Sequence, residues 1–515
     1  MPSRISHTAI TLSICALAAI IFFAKTCSAA EDKGDSPLVV VDFENSGAVK
    51  LTGVQAKTRL IKTGTGHALQ ITTEAKAAYP GAKLTPAGGK WDLGGFDVVE
   101  MDVRNPQSVP VRVLLSLNNP GADRRRNCNT ESINVPAKGT GTLVVPYGMW
   151  HGQAGNDMDW SNIVSMRIML DKPKRSHTFT VDNIRATKTN RMTVEEAVAD
   201  PFFKQLKPVF GRGVNLGNAL EAPKERQWGV TLKEEYFDAI KSAGFDSVRI
   251  PVRWSAHADK SPPYCIEPEF FERVDWVVRN LLKRRIVPVL NMHHYNELTD
   301  KPVEHRERFL ALWRQIAARY KGYPSALAFE LLNEPHGNLN AEQWNAMAAE
   351  AIKVVRRTNP KRKIVVGPVA WNSLRKLNRL ELPEDDRNLV VTFHYYDPFK
   401  FTHQGASWVG GQSRAWLGTK WTGTKAEKDA IIKDFDKAIC WAVAHRRPIY
   451  LGEFGAYGKA DMESRARWTK FIADEAAKRK IGFAYWEFCA GFGVYDSDRA
   501  EWVVPLKEAL LGKGR

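Results

Sequence analysis

The sequence S-V-R-I-P-V at residues 247–252 is followed by E-F-F-E-R-V-D-W-V-V-R-N-L-L-K-R at 269–284 and by I-V-P-V-L-N-M at 286–292. The first and third stretches are short apolar runs rich in β-branched residues, which is typical of buried strands. In the middle stretch the apolar residues recur at steps of three and four, the period of one helical face. Together the three stretches predict a strand, a helix and a second strand, the unit from which parallel sheets are built.

The same alternation continues from about Met192 to the end of the chain. The predicted strands are Gly211–Leu216, Ser247–Val252, Ile286–Met292, Leu327–Leu332, Ile364–Val369, Leu389–Tyr395, Ile449–Phe454 and Phe483–Glu487. The predicted helices are Leu232–Ala243, Glu269–Arg284, Arg306–Tyr320, Glu342–Arg357, Lys428–His445 and Ser464–Lys478. Strands that alternate with helices in this way predict an α/β fold, a closed (β/α)8 TIM barrel over residues 200–513. A doubly wound open sheet is the alternative, but no G-x-G-x-x-G turn follows the first strand.

The part of the chain before the barrel has a different pattern of apolar residues. Between residues 37 and 188, short runs that alternate or cluster in β-branched residues are separated by Gly, Pro and Asn. These runs are Leu38–Phe43, His67–Thr72, Val98–Val103, Val109–Leu117, Gly141–Val145, Ile163–Leu170 and His177–Ile184. Because no convincing long amphipathic helix lies among them, they predict an all-β sandwich of the jelly-roll type over residues 37–188. Two domains suit a length of 515 residues.

Residues 1–30 have the features of a secretory signal peptide. Arg4 precedes an apolar run at residues 9–23, and small residues occupy positions 28–30. The apolar run has about 15 residues, whereas a membrane-spanning helix needs roughly 20. The protein is therefore predicted to be secreted, to the periplasm or the medium, with an uncleaved N-terminal anchor as the alternative. No later segment is long and apolar enough to predict a membrane span.

The composition limits the classes of molecule that the protein is expected to bind. The formal net charge is +17, and it becomes +15 if the signal peptide is removed with Arg4 and Lys25. A basic protein can attract nucleic acid, but export and the lack of a known basic–aromatic module disfavour that partner. Six Cys without C-x-x-C spacing argue against a zinc cluster and against a disulfide scaffold. Sixteen Trp are many, and Trp side chains bind flat apolar faces such as sugar rings.

Polar side chains follow nearly every predicted strand of the barrel. A (β/α)8 barrel places its site at the carboxyl ends of its strands. In chain order those ends carry Asn215, Asn218, Glu221, Arg249, His293, His294, Asn333, Glu334, His394, Tyr395, Tyr396, Glu453, Trp486 and Glu487. Each residue alone has a structural explanation, such as a solvated loop or a packed side chain. Polar residues at so many strand ends of one barrel are difficult to explain in that way, and they predict a catalytic site.

Glu334 and Glu453 end the predicted strands four and seven, which face each other across the mouth of a barrel. Cleavage of a glycosidic bond needs a protonated carboxyl group that donates to the leaving oxygen and an ionised one that attacks the anomeric carbon. Arg249 would keep one of the two carboxylates ionised by charge pairing. Asn333 would bind the sugar 2-hydroxyl, where contacts tighten in the transition state.

Other strand ends have chemistry that would support this pair. Tyr396 would hold the nucleophile, His394 would tune the acid, and Trp486 would offer a flat platform for a sugar ring. A metal site is not predicted, because the adjacent His293 and His294 lack the H-x-H spacing that puts two ligands on one face of a strand.

An ordered set of motifs resembles glycoside hydrolase family 5, a family of retaining (β/α)8 enzymes. The motifs are G-R-G-V-N-L-G-N-A-L-E-A-P from residue 211, V-R-I-P-V-R-W from 248, N-M-H-H-Y from 291, L-L-N-E-P-H-G-N from 331, T-F-H-Y-Y-D-P-F from 392, I-Y-L-G-E-F-G-A-Y from 449 and A-Y-W-E-F-C from 484. N-E-P alone is shared by several families, but the ordered set is specific. It looks most similar to bacterial β-1,4-endoglucanases, some of which also cleave β-mannans.

The resemblance implies roles for individual residues. Glu334 would be the acid/base and Glu453 the nucleophile. Supporting roles are implied for Arg249, His293, Asn333, His394, Tyr396 and Trp486. The residues that would line the sugar subsites are Asn218, Glu221, His294, His403, Trp408 and Glu487. No organic cofactor or catalytic metal is expected.

The N-terminal domain resembles carbohydrate-binding jelly rolls in V-V-D-F-E at residues 40–44 and F-T-V-D-N-I at 179–184. Such modules often hold a structural calcium, for which Glu44 and Asp182 would be the candidates because calcium prefers oxygen ligands. Solvated acids or turn formers are the alternative. The aromatic candidates for stacking on glycan, or else for the core, are Trp91, Trp150 and Trp160. A spacer is the alternative role of the domain.

The predicted function is that of a secreted retaining endo-β-1,4-glucanase, a cellulase. A β-mannanase, or one enzyme that serves both substrates, is the alternative within this class. A non-catalytic glycan-binding protein on a barrel scaffold is the alternative from another class, and the presence of both carboxyl groups disfavours it. The predicted partner is a β-1,4-linked glucan, glucomannan or mannan.

Overall fold

The structure, a computed structural model, describes residues 37–44, 47–64, 66–123, 126–150, 153–154, 158–188 and 192–512 of the chain. The predicted signal peptide lies outside these residues. Every helix in the described part of the chain is too short or too polar to cross a membrane. The chain divides into two compact units, Met1–Asn190 and Arg191–Arg515.

The described residues of the first unit form two large antiparallel sheets and a small two-stranded one. The strands are β1 Leu38–Val41, β2 Val49–Val54, β3 Ala56–Thr63, β4 Gly66–Thr73, β5 Gly81–Pro86, β6 Val98–Arg104, β7 Val111–Asn118, β8 Cys128–Val135, β9 Thr140–Pro146, β10 Met149–Trp150, β11 Gln153–Ala154, β12 Ser165–Met169 and β13 Thr178–Thr187. One sheet has the order β3-β4-β13-β6-β9 with β1 beside β13, and the other has the order β2-β5-β12-β7-β8. This arrangement confirms the predicted β-sandwich.

Both sheets contribute to one hydrophobic core in this unit. Ile71 and Phe179 from the first sheet and Val113 and Leu115 from the second are fully buried in the same cluster. Buried and half-buried side chains alternate at the start of β13, as expected for a strand with one face on a core. The longer strands that are absent from the sequence prediction are β2, β3, β5 and β8, in which polar residues and glycine interrupt the apolar signal.

The two calcium candidates have partners inside the sandwich. Glu44 accepts a hydrogen bond from the backbone amide of His67, and its Oε2 lies 3.0 Å from His67 Nδ1. Asp182 accepts a hydrogen bond of 2.7 Å from the backbone amide of Asn183. Within the described ranges, the sandwich gathers no group of three His, Cys, Asp or Glu side chains suited to a metal ion. Calcium binding here stays a prediction.

Two of the three candidate aromatic side chains of the sandwich contact its core. Trp91 and Trp160 pack against the buried cluster. Trp160 also stacks on Tyr147, with 3.6 Å between the ring centroids. The side chain of Trp150 lies outside the described residues. Glycan binding by these residues stays a prediction.

The second unit contains a closed barrel of eight parallel strands. They are β14 Arg212–Asn215, β15 Ser247–Ile250, β16 Val287–Asn291, β17 Ala328–Glu330, β18 Ile364–Val366, β19 Leu389–His394, β20 Ile449–Phe454 and β21 Gly482–Tyr485. Each strand pairs with the next, and β21 pairs with β14 to close the barrel. The predicted (β/α)8 fold is confirmed. A short hairpin of β22 Tyr495–Asp496 and β23 Glu501–Trp502 follows.

Helices follow the barrel strands along the chain. The α-helices are Val194–Ala199, Pro201–Gln205, Glu234–Ala243, Pro268–Lys283, Asn296–Asp300, Pro302–Arg319, Ala341–Arg356, Phe399–Thr402, Lys425–Ala444, Met462–Lys478 and Val504–Leu511. The 3-10 helices are Trp254–His257, Leu374–Arg379, Ser407–Val409 and Gly411–Trp416. Pro268 begins the helix 268–283 at a position where its missing N–H has no cost, and the apolar face of that helix is buried.

The barrel strands explain where the polar side chains of this unit lie. β15, β17, β18, β19, β20 and β21 are buried along their whole length, which is typical of parallel strands covered on both faces. A charged side chain on such a strand needs a partner, because an unpaired buried charge is costly. The polar residues of these strands are therefore expected to contact one another at the strand ends.

Candidate active site

A cleft of about 1150 Å³ opens at the carboxyl ends of the barrel strands. The predicted site residues that line it are Asn218, Glu221, His293, His294, Asn333, Glu334, His394, Tyr396, His403, Trp408, Glu453 and Trp486. Arg249 and Glu487 are buried and do not line the cleft. The fold therefore brings together residues that are up to 268 positions apart in the chain, between Asn218 and Trp486.

Arg249, on β15, is a fully buried cation at the centre of the site. Its Nε and Nη2 donate to the two carboxylate oxygens of Glu330 at 2.7 and 2.8 Å. Its Nη1 donates to Glu453 Oε1 at 2.6 Å and to Asn215 Oδ1 at 3.0 Å. A second bond from Nη2 reaches Asn333 Oδ1 at 2.8 Å. Because a guanidinium has five N–H donors in one rigid plane, this ion sets the positions of all four partners.

Asn215 connects this cation to the barrel wall. Its Nδ2 lies 3.0, 3.2 and 3.3 Å from the carbonyl oxygens of Gly452, Ala484 and Tyr485. Those carbonyls belong to β20 and β21, whereas Asn215 ends β14. The amide therefore fixes Arg249 relative to three strands where the barrel closes.

Glu453, on β20, is held by a cation and by a hydroxyl group. Its Oε1 accepts the bond from Arg249, and its Oε2 accepts a bond of 2.9 Å from the hydroxyl of Tyr396. The Nδ1 of His394 lies 3.6 Å from the same Oε2. Burial raises the pKa of Glu453, whereas His394 and Arg249 act in the opposite direction.

Glu334 lies opposite Glu453 in a different environment. Its Oε1 is 2.7 Å from His394 Nδ1. Burial raises the pKa of Glu334 to about 7, with the positive charge of Arg249 opposing the rise. The ligand atoms of Glu334, His394 and Glu453 all lie within 4.8 Å of one another. The two carboxyl groups can therefore reach the same bond of a substrate.

His394, which ends β19, contacts the carboxyl group of Glu334, and Tyr396, two residues further on, donates a hydrogen bond to Glu453. Burial lowers the pKa of His394 to about 4, so its ring is neutral near pH 7. Burial raises the pKa of Tyr396 well above its usual value, so its hydroxyl keeps the proton that it donates to Glu453. Both side chains therefore contact the carboxyl groups as neutral groups.

His293 and His294 follow β16 and form part of the cleft wall. The ring of His293 stacks on Trp486, with 5.7 Å between centroids and 14° between planes. The ring of His294 meets Trp228 edge-on at 5.4 Å. Burial lowers the pKa of His293 well below its usual value and that of His294 to about 4. Near pH 7 they are neutral groups suited to hydrogen bonding with an uncharged ligand.

Two further acids are buried near the cleft. Glu221 accepts hydrogen bonds from the backbone amides of Asn218 and Ala219, and burial raises its pKa to about 8. Glu487 accepts bonds from backbone amides within residues 489–492, and burial raises its pKa to about 7. Glu221 lines the cleft, whereas Glu487 shapes the loop 489–492, part of which lines it.

His403 and Trp408 come from the segment that follows β19. His403 is buried and stacks on Phe399, with 4.1 Å between the ring centroids. Trp408 is 60% exposed and meets Tyr457 edge-on at 4.9 Å. An exposed indole in a cleft offers a flat face to a ligand, whereas His403 is positioned by its neighbours.

The barrel that holds this site matches a known family. Residues 207–491 match the family model described as cellulase (glycosyl hydrolase family 5). The chain belongs to glycosyl hydrolase family 5. This confirms the family that the ordered motifs predict. Endoglucanase H of Acetivibrio thermocellus is 40% identical over 301 residues, which are 58% of this chain and 32% of that protein. The chain thus spans about a third of the length of this relative.

Solved structures similar to this chain cover its barrel. The structure of Thermotoga maritima Cel5A in complex with mannotriose substrate is 53% identical, with a TM-score of 0.58, and covers 60% of this chain and 100% of that chain. The structure of the same protein in complex with cellobiose has the same identity, TM-score and coverage.

Several residues of the site are missing from the sequence prediction. Glu330 is one, although an acid inside the buried strand A-F-E is a signal that it needs a buried cation. Asn372 lies six residues beyond β18 and gives no strand-end signal. Trp228 and Trp371 line the cleft with 39% and 57% of their surface exposed, and Tyr457 lines it too.

The cluster of Glu334, His394 and Glu453 is the one group of three in the described part of the chain that could gather ligand atoms around a metal ion. Its atoms already have partners, since Glu453 is bound by Arg249 and Tyr396, and His394 contacts Glu334. Glycosidic cleavage by two carboxyl groups needs no cofactor. The cluster fits acid–base chemistry better than metal binding.

Arg249→Lys is expected to abolish activity and to destabilise the barrel. One lysine nitrogen cannot bind both oxygens of Glu330 and also reach Glu453, so a buried carboxylate loses its partner. The free energy of unfolding should fall by about 3–5 kcal/mol, measured by urea unfolding with circular dichroism. The control is Arg306→Lys, in a partly exposed pair with Glu350, which should cost less than about 1 kcal/mol. Equal, small losses in the two variants would contradict the central role of Arg249.

Proposed function

We propose that the protein is a secreted endo-β-1,4-glucanase that retains the anomeric configuration. The proposal rests on the pair of Glu334 and Glu453, from each of which one carboxyl oxygen lies within 4.8 Å of the other. Retaining glycosidases hold their carboxyl groups about 5–5.5 Å apart, whereas inverting ones hold them about 6.5–9.5 Å apart to admit a water molecule. The short separation supports direct attack of a carboxylate on the sugar.

The partners of the two carboxyl groups support their roles. Glu453 accepts a bond from the Arg249 cation, which favours its ionised form. Glu334 has a pKa of about 7 and a neutral neighbour, His394, so it keeps a proton at mildly acidic pH. A carboxylate that is paired with a cation suits the nucleophile, and a carboxyl group that keeps its proton suits the acid. We therefore assign Glu453 as the nucleophile and Glu334 as the acid/base.

In the first step a carboxylate oxygen of Glu453 forms a bond to the anomeric carbon. The bond from that carbon to the leaving sugar breaks, and its oxygen takes the proton of Glu334. Asn333 binds Arg249 through Oδ1, so its Nδ2 is the donor that it offers to the sugar 2-hydroxyl.

In the second step a water molecule attacks the same carbon from the side that the leaving sugar vacated. Glu334, now ionised, takes a proton from the water, and the bond between sugar and Glu453 breaks. Two displacements at one carbon restore the original configuration. Arg249 and Tyr396 stabilise the carboxylate of Glu453 as it leaves.

A polymeric β-1,4-glucan suits the shape and the lining of the cleft. Three partly exposed indoles, Trp228, Trp371 and Trp408, come from loops after different strands and all line it. Such faces stack on successive sugar rings of a chain. Endoglucanase H bears the name of an enzyme that cuts inside glucan chains, which supports the endo mode.

A β-mannan is the second candidate substrate. One solved structure of Cel5A is described as a complex with mannotriose and another as a complex with cellobiose. That protein and this chain share more than half of their aligned residues. Cleavage of both glucan and mannan by this chain is therefore included in the proposal.

A glycan-binding protein without activity is the alternative from another class. Binding alone does not need a buried cation that holds one carboxyl group in its charged form, nor a second acid with a raised pKa. The export included in the proposal is supported by the sequence of residues 1–30 alone, with its charged start and its apolar run of about 15 residues.

Glu334→Gln and Glu453→Gln are expected to differ in their response to the leaving group. Glu453→Gln should lower kcat/KM by at least about a thousandfold on cellotetraose and on 2,4-dinitrophenyl β-cellobioside, because both need the nucleophile. Glu334→Gln should lower it by about 10²–10⁴-fold on cellotetraose only, because dinitrophenolate leaves without a proton. Full activity of either variant on cellotetraose would contradict the assignment.

The pH dependence of kcat/KM should report the same two groups. Glu334 must be protonated in the first step, so kcat/KM on cellotetraose should fall as the pH rises through about 7. Glu453 must be ionised, so kcat/KM should also fall at acidic pH. With 2,4-dinitrophenyl β-cellobioside the alkaline fall near pH 7 should disappear. An alkaline fall that persists with this substrate would show that another group causes it.

Reducing-sugar release distinguishes the candidate substrates. Carboxymethylcellulose, glucomannan, mannan, xyloglucan and xylan should be compared under identical conditions, with Glu453→Gln as the blank. Release from carboxymethylcellulose and glucomannan is expected, and release from mannan identifies a dual enzyme. A fast fall in the viscosity of carboxymethylcellulose relative to sugar release shows cleavage inside chains. No release from any of these polymers would contradict the proposed function.

A further inference from the structure

Residues 370–372 form a left-handed turn beside the proposed acid/base. Ala370, Trp371 and Asn372 have φ angles of 59°, 61° and 53°. Left-handed backbone costs roughly 1–2 kcal/mol for each residue with a side chain. Three such residues in succession persist only where the surroundings hold them, and such strain is often found at functional sites.

Backbone contacts attach this turn to the site. The amide of Trp371 donates to the carbonyl oxygen of Pro335, the residue after Glu334, at 3.3 Å. Ser373 forms a parallel β-bridge with His394. The turn is therefore fixed to both members of the Glu334–His394 pair.

The side chain of Asn372 is fully buried and faces the ring of His394. A Cβ atom at Gly367 would lie 2.1 Å from Asn372 Oδ1, so a residue without a side chain at 367 leaves the room that the amide needs. The Nδ2 of Asn372 lies 3.2 Å from His394 Nε2. With Nδ2 towards the ring, the amide NH2 group only donates, so Nε2 accepts this bond, whereas the amide Oδ1 is buried without a hydrogen-bond partner among the described residues.

This contact determines where the single proton of the neutral ring lies. With Nε2 as the acceptor, the proton is on Nδ1, 2.7 Å from Glu334 Oε1, and is donated to that oxygen. The acid proton of Glu334 then sits on its other oxygen, where it can pass to the leaving sugar. In the opposite tautomer Nδ1 would accept the acid proton of Glu334 and hold it away from the substrate.

We infer that Asn372 is a positioning residue of the proposed reaction, which selects the tautomer of His394 that leaves the proton of Glu334 available to the substrate. The inference rests on the proposed function. The charged or titratable groups around the ring and around Glu334 are Glu330, Glu334, Glu453, Arg249, His293, His336 and Tyr396. Asn372 is the neutral group that contacts the far nitrogen of the ring.

Asn372→Gly tests the side chain without disturbing the left-handed backbone, which glycine adopts freely. The kcat/KM on cellotetraose should fall at least about tenfold, because proton transfer to the leaving sugar contributes about 10²–10⁴-fold. The kcat/KM on 2,4-dinitrophenyl β-cellobioside should change less than about twofold. Equal losses on the two substrates would indicate a structural role and would overturn the inference, as would the absence of any loss.

Asn372→Asp is the matched variant, with the same shape and a side chain that tolerates a positive φ. Its carboxylate accepts a bond from Nε2–H and, as a neighbouring negative charge, favours the doubly protonated, charged ring. A charged ring beside Glu334 lowers the pKa of that acid, so the alkaline fall of kcat/KM on cellotetraose should move down by about one pH unit. A fall at the wild-type pH in this variant would overturn the inference.

Glu334→Gln is the reference variant that distinguishes a failure of the proposed function from a failure of the role of Asn372. If it lowers kcat/KM equally on the two substrates, the acid role of Glu334 fails, and the inference fails with it. If it shows the expected difference between substrates while the Asn372 variants show none, the proposed function stands and the role of Asn372 is refuted.

Discussion

The buried charge of Arg249 is the interaction on which the rest of the site depends. A cation in the interior is tolerated only when its charge and its donors are matched. Glu330 and Glu453 match the charge, and Asn215 and Asn333 accept further bonds. These partners come from β14, from β17 and the residues after it, and from β20. The contacts of Arg249 that connect these strands therefore also position the carboxylate of Glu453 at the mouth of the barrel.

The same cation makes the two facing carboxyl groups unequal. Burial raises the pKa of both Glu334 and Glu453. Arg249 bonds directly to Glu453, whereas the neutral ring of His394 is the partner of Glu334. The two carboxyl groups differ because the guanidinium group of Arg249 bonds to Glu453 and not to Glu334. The total charge of the protein does not cause this difference. A net charge of +17 suggests acidic partners, but the residues that give the site its chemistry are mainly buried acids and neutral rings.

The sequence predicts those parts of the molecule in which the type of a residue reflects its place in the fold. The barrel strands are apolar because they are covered on both sides, so their periodicity and their polar ends can be read directly. Glu330 could have been found in the same way, as an acid inside a buried strand. The strands β2, β3, β5 and β8 could not be predicted in this way, because their pairing in the sheets and not their composition makes them strands. Asn372 could not, because a left-handed turn brings it to the site.

The turn after β18 shows why a residue such as Asn372 is difficult to identify from the sequence. Gly367 leaves room for Asn372, Asn372 contacts the far nitrogen of His394, and His394 contacts Glu334. A residue that acts through the tautomer of an imidazole needs neither charge nor contact with substrate. Its residue type alone therefore does not indicate its role. The carboxyl groups determine which reaction is possible, whereas a neutral amide decides where the proton for that reaction lies.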